Sequence, residues 1–93
     1  MSLNFHVYML RCSDGSIYVG HTDNLEARMV AHQSGTFKGY TSRRRPVELI
    51  FQEHFNSRED AFAAERRIKG WSRQKKLALA EGDWPEIIRL ARL

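Results

Sequence analysis

The chain has one cysteine, Cys12, among its 93 residues. One thiol excludes an internal disulfide and any cysteine metal cluster. No apolar run approaches the roughly 20 residues that cross a bilayer. No basic-then-apolar secretory leader is visible, so a cytoplasmic location is expected, with no membrane partner. There is no internal repeat, no low-complexity stretch and no linker long enough to divide domains. Asparagine is scarce late in the chain: Asn4, Asn24 and Asn56 are all that occur.

What is present suits one small domain with a real core. Hydrophobic residues make up 42% of the chain, including two Trp, three Tyr and five Phe. Residues 1–93 are read as one unit, with a core over about 5–77 and a helical extension over about 83–93. The net charge is +4, and its placement says more than its size. From Arg43 to Lys76 there are ten Lys or Arg against five Asp or Glu. The cationic clusters are Arg43-Arg44-Arg45, Arg66-Arg67-Lys69 and Arg73-Lys75-Lys76. Such clustering is the footprint of a phosphate-backbone binder, although solvated helix faces give the same count.

Phe5 to Arg11 is rich in β-branched and aromatic residues and predicts a strand. Asp14-Gly15 is a hairpin signal, and Ile17 to His21 is the partner strand. Asp23, with Glu26 three residues on, predicts a capping box opening a helix from Asn24 to about Ser34, closed by Gly35. Residues 35–46 read as loop. Val47 to Phe55 alternates as a third strand. Ser57 caps a helix running to about Gly70 or Trp71, Ser72 opens another over Arg73–Ala80, and Gly82 ends it. Asp83-Trp84-Pro85-Glu86 starts a last helix through Arg92. The expected fold is α+β: a three-stranded antiparallel sheet flanked by helices, in the order β-β-α-β-α-α-α. Trp71 and Trp84 are expected in the core.

Several polar residues stand where chemistry could use them. Arg28 and His32 are four apart on one helix face, bordering a seam of Leu25 and Met29. Glu65 lies in a stripe with Ala61, Phe62 and Ile68, where a carboxylate is costly unless paired or metal-bound. An i,i+4 pair with Lys69 is the ordinary explanation. Tyr8 and Tyr18 are ten residues apart on adjacent strands, and plain packing is the ordinary role for strand tyrosines. Gly20 allows a sharp turn into the helix or the close approach of a phosphate.

The ordered series Tyr8, Tyr18-Val19-Gly20, Arg28, His32, Glu65 resembles the GIY-YIG nuclease superfamily. The two tripeptides are Val7-Tyr8-Met9 and Tyr18-Val19-Gly20. The likeness covers residues 5 to about 77 and is closest to the small stand-alone bacterial members of the UPF0213 type. The resemblance implies a metal-dependent DNA endonuclease. Arg28 matches the arginine that contacts the scissile phosphate, a role for which a planar fork of donors is suited. Glu65 matches the metal-binding glutamate, holding one Mg²⁺ or Mn²⁺ that keeps most of its water shell. Tyr8 and Tyr18 match the pair flanking the attacking water. His32 sits where members carry His or Tyr, and His21 is placed to assist. Whether Tyr8, Tyr18 or a histidine is the base stays open. Lys38, Tyr40, Thr41, Arg43, Arg44 and Arg45 in the loop, with Lys69, Arg73 and Lys76, are candidate nucleic-acid contacts. Some superfamily nucleases carry an asparagine after the glutamate. Here none follows Glu65, so Ser72 or Lys76 substitutes or the role is missing, leaving a weakly catalytic or non-catalytic binding module as the alternative.

Larger members carry a separate targeting module, for which 93 residues leave no room. Weak sequence specificity is expected, with double-stranded, single-stranded or branched DNA chosen by shape or by a protein partner. Kinship points to repair or recombination. One structural condition follows. A two-residue loop at Asp14-Gly15 would pair Arg11 with Tyr18 and put the two tyrosines on opposite faces. A three-residue loop, Ser13-Asp14-Gly15, with Gly15 left-handed, pairs Leu10 with Tyr18. Both rings then share a face, as diagonal neighbours roughly 7–8 Å apart at the backbone. A joint site requires the second register.

Overall fold

A computed structural model describes residues 4–92. The elements follow the expected order: β1 (Phe5–Arg11), β2 (Ile17–Thr22), α1 (Leu25–Ser34), β3 (Glu48–Phe55), α2 (Arg58–Lys69), α3 (Arg73–Glu81) and α4 (Trp84–Ala91). The sheet is antiparallel with strand order β2-β1-β3. The first strand is therefore central, and β2 is an edge.

The hairpin takes the three-residue loop. Cys12 N–H donates to Ser16 O at 2.9 Å and Gly15 N–H to Cys12 O at 2.9 Å, which encloses Ser13-Asp14-Gly15. Gly15 has φ +84°, a left-handed value that a side chain disfavours. The register that results pairs Leu10 with Tyr18 and Tyr8 with Gly20.

Because β1 is central, Val7, Tyr8, Met9 and Leu10 are all fully buried, alternately on two faces. Val7 and Met9 join Val19, Ala61, Ala64, Ile68, Ala78, Leu79 and Ile87 in an apolar core under α2, α3 and α4. Tyr8 and Leu10 join Cys12 and Val47 on the other face, with Tyr18, Leu25, Met29 and Leu49 packed against them. This second face carries α1.

Two local expectations change. The cap of α1 is Asn24, whose side chain accepts from Ala27 N–H at 3.0 Å. Asp23 lies one residue too early for that bond and instead pairs with Arg58 at 3.2 Å. Trp84 is 59% exposed and not in the core, because the buried face of the short α4 is taken by Ile87. Ser57, Ser72 and Asp83 cap α2, α3 and α4 as expected.

Candidate active site

The site is built around the edge strand β2. Alternation sends Tyr18 toward α1 and His21 toward α2, so the strand presents side chains to both layers. Tyr8 comes from the neighbouring central strand on the α1 side. Its ring centroid lies 6.2 Å from that of Tyr18. Gly20 sits opposite Tyr8, and a Cβ there would stand 2.7 Å from the Tyr8 hydroxyl and 3.0 Å from the Tyr18 ring. The glycine is thus required by the approach of the two tyrosines. It lies inside β2 and makes no turn into the helix.

The helix α1 supplies Arg28 and His32 one turn apart. His32 is fully buried, with Nε2 2.8 Å from the Tyr8 hydroxyl and Nδ1 2.7 Å from Thr41 Oγ1. Burial, then the nearby Arg28 charge, lowers its pKa to about 4, so the ring is neutral at pH 7. A neutral imidazole has one N–H, so one of these bonds is donated by the ring and the other accepted. Burial also raises the Tyr8 pKa far above its ordinary value, with Tyr18 adding to the rise and Arg28 opposing it. Tyr18 is raised by burial and by the Glu65 charge. Glu65 itself comes from α2, in the opposite layer. Arg28 is half-buried; its guanidinium lies 4.7 Å over the Phe37 ring and donates to His21 O at 3.5 Å.

Glu65 is buried on α2, its side chain 9% exposed. Oε1 stands 3.5 Å from Lys69 Nζ, the i,i+4 pair. Oε2 stands 3.2 Å from His21 Nδ1, off the line that a hydrogen bond needs. Among the described residues no three His, Cys, Asp or Glu gather into a metal-ligating group. The donor set is one hard carboxylate beside phenols. That set suits a hydrated Mg²⁺ or Mn²⁺ completed by phosphate oxygens and water, and does not suit a softer metal needing several nitrogens or sulfurs.

Next to Glu65 runs a groove lined by Ile17, Tyr18, Val19, Tyr40, Lys69 and Lys76, continuing past Ser16 and Arg73. Tyr40 is 42% exposed and stacks on Tyr18 at 6.2 Å and 27°. Lys38 and Arg43 stand exposed on the same loop. Arg44 and Arg45 shape the loop itself. Arg44 pairs with Asp14 at 3.0 Å, covers the Tyr40 ring at 3.9 Å and donates to Tyr40 O. Arg45 donates to Ser42 O and Gln33 O. Thr41, grouped with the nucleic-acid contacts on sequence grounds, is fully buried on His32 and is out of reach of a ligand. Phe37, packed 4.3 Å from the His32 ring and under Arg28, was not singled out from the sequence. Ser72 spends its hydroxyl capping α3, whereas Lys76 faces the groove.

Comparison with known proteins shows the family. The family model for the GIY-YIG catalytic domain matches residues 4–78. The UPF0213 protein SH2523 of Staphylococcus haemolyticus is 46% identical over 76 residues, covering 82% of this chain and 93% of that protein. A UPF0213 protein of Bacillus pumilus is 45% identical over 73 residues, covering 78% and 74%. Two solution NMR structures are similar. The UPF0213 protein BH0048 of Bacillus halodurans has a TM-score of 0.55 at 40% identity, covering 84% of this chain and 83% of that one. EF2693 of E. faecalis has a TM-score of 0.60 at 38% identity, covering 85% and 84%. By family match, sequence identity and fold together, the chain belongs to the GIY-YIG catalytic-domain family and groups with its UPF0213 members.

Proposed function

We propose that the chain is an endonuclease that hydrolyses DNA phosphodiester bonds with little sequence preference, using one Mg²⁺ or Mn²⁺. The observation that carries this reading is the gathering of a guanidinium, two phenols, a neutral imidazole and a carboxylate around one edge strand. Arg28 would grip the scissile phosphate, whose charge grows in the transition state. The hydrogen-bonded pair Tyr8–His32 offers a proton path. If Thr41 accepts from Nδ1–H, then Nε2 is the free acceptor and the Tyr8 hydroxyl donates to it. Tyr8 would then take a proton from the attacking water while passing its own to His32, so no free phenolate is needed. Burial and the Arg28 charge make His32 a weak base. A phosphodiester on Arg28 would cancel the guanidinium's share of that weakening. Tyr18, between this pair and Glu65, would orient the water, and His21 would steady the carboxylate. Glu65 would hold the cation, which when bound polarises the phosphate and stabilises the departing oxygen.

Lys69, Arg73, Lys76 and Tyr40 would follow the flanking strand, with Lys38 and Arg43 extending the contact and Arg44 and Arg45 holding the loop that carries them. Lys76 is the better candidate than Ser72 for the role of the late asparagine. Substrate choice among double-stranded, single-stranded and branched DNA would come from shape or a protein partner, consistent with repair or recombination in the cytoplasm.

The test is cleavage of supercoiled, single-stranded and branched DNA with Mg²⁺ or Mn²⁺ by the native chain, Glu65→Ala and Arg28→Ala. Both variants should lose at least about a hundredfold in rate while keeping their circular dichroism. Unchanged activity in either variant would remove its residue from the mechanism, and activity unchanged in both would point to a contaminant. A second reading, a binding module that cleaves poorly, is favoured by the full burial of Tyr8 beneath Gly20 and His32. Salt-sensitive binding without turnover in any metal would select it.

A further inference from the structure

The stripe Ala61, Phe62, Glu65, Ile68 does not enter the core as a unit. Ala61, Ala64, Glu65 and Ile68 are buried, but Phe62 is 45% exposed. An apolar ring left open to water at that helix position contributes little to folding. It is one turn from Glu65 on α2. The His21 ring lies between the two: its centroid is 5.4 Å from that of Phe62, and its Nδ1 is 3.2 Å from the Glu65 carboxylate. Phe62 and His21 line a cavity of about 300 Å³ with Arg58 and Glu59. Arg66 stands 5.6 Å from the Phe62 ring centroid. A half-exposed ring with the Arg66 guanidinium over it, Arg58 in the cavity wall and the candidate phosphate site one helical turn away are the parts of a base-stacking pocket. The basic groove with Tyr40 leaves the site past Lys69 and Lys76 on the side of α3, so Phe62 serves a different nucleotide from the one that Tyr40 would meet.

We propose that Phe62 is the stacking platform for an unpaired nucleobase next to the scissile phosphate, which makes single-stranded or locally unpaired nucleic acid the preferred substrate. The placement beside the scissile bond rests on the nuclease reading of Glu65 and Arg28; the stacking itself does not. A base inside a duplex is stacked on both faces and cannot offer one to Phe62 without being extruded. Discrimination therefore comes from strand state and not from base identity, since every base has a π-face.

The experiment reads binding alone. The native chain, Phe62→Ala, Phe62→Leu and Phe62→Trp are titrated in EDTA against labelled oligothymidine of roughly 12 nucleotides, within the usual range of strand site sizes. Parallel titrations use an abasic chain of equal length and a duplex. Phe62→Ala and Phe62→Leu should weaken binding to oligothymidine about tenfold, with Phe62→Trp retaining it. Binding to the abasic chain and the duplex should change less than about twofold, because only phosphate contacts remain there. Phe62→Leu keeps the apolar bulk, so it reports the lost ring even if the alanine variant folds poorly. Equal affinity of all four proteins for oligothymidine overturns the proposal, as does an equal loss on all three ligands. A chain that stacks bases but never cleaves would sink the nuclease reading and leave this pocket standing. A chain that cleaves but ignores Phe62 would do the reverse.

Discussion

The two faces of the central strand β1 are equally buried but are held in different ways. On the α2 side Val7 and Met9 meet alanines, Ile68 and Leu79, and cohesion comes from apolar area removed from water. On the α1 side Tyr8 meets His32, which meets Thr41, and cohesion depends on two short directional bonds. Apolar packing tolerates approximate placement; a buried polar chain does not, because each unmade bond carries the full cost of desolvation. The second face therefore has its geometry dictated by its hydrogen bonds. The first supplies the stability that lets the second be expensive.

Breaking the apolar face should have the largest effect on stability. Met9→Ala leaves a cavity in the middle of the sheet and should cost about 2–5 kcal/mol in urea unfolding. On the polar face the comparable lever is pH. His32 has a folded pKa of about 4 against an ordinary 6.5, so the unfolded chain takes up the proton first. Its contribution is complete above pH 6.5 and drains away as the pH falls toward 4, about 3 kcal/mol in all. Comparing urea midpoints of the native chain and His32→Gln between pH 7 and 4 isolates it, and the variant should show the shallower slope. An equal slope in both would mean that the ring is not the titrating group.

Gly20→Ala sharpens the comparison, since its Cβ would press on the Tyr8 hydroxyl and leave the apolar face untouched. A loss of about 1–3 kcal/mol is expected from overpacking, with cleavage falling more than stability. Thr41→Val keeps the shape but removes one partner of the buried imidazole, for about 1–3 kcal/mol by thermal unfolding. The smallest effect distinguishes two neighbours outside both faces. Asn24→Ala should cost about 1 kcal/mol as the lost cap. Asp23→Ala, losing only an exposed ion pair with Arg58, should cost less than about half of that.

What could be read in advance had a local cause. Asp14-Gly15 marks the turn but allows two loop lengths, and the three-residue loop is expected because it alone places Tyr8 and Tyr18 on one face. Arg28 and His32 share a face by helical spacing, and Glu65 stands out because a carboxylate in an apolar stripe demands a partner. The cap was misplaced by one residue because Asp23 and Asn24 are both good capping residues, and in the fold Asn24 accepts from Ala27 N–H while Asp23 pairs with Arg58. Thr41 and Phe37 were hidden in a loop without periodicity. Their burial depends on Arg44 reaching Asp14 and Gln33 bonding the Val47 backbone, contacts across 30 and 14 residues. The turn expected at Gly20 does not occur there, and its need for a hydrogen arises from a ring on another strand.

By itself, then, the sequence determined the order of elements and the residue types able to handle a phosphate, because turn chemistry, capping and side-chain period act over a few residues. The tertiary structure decided which strand is central, which hairpin register forms, that His32 is neutral and bridges Tyr8 and Thr41, that Glu65 meets His21 and Lys69, and that Phe62 stays outside. Those outcomes depend on burial and on charges brought together from distant positions, which exist only once the layers have closed on the sheet.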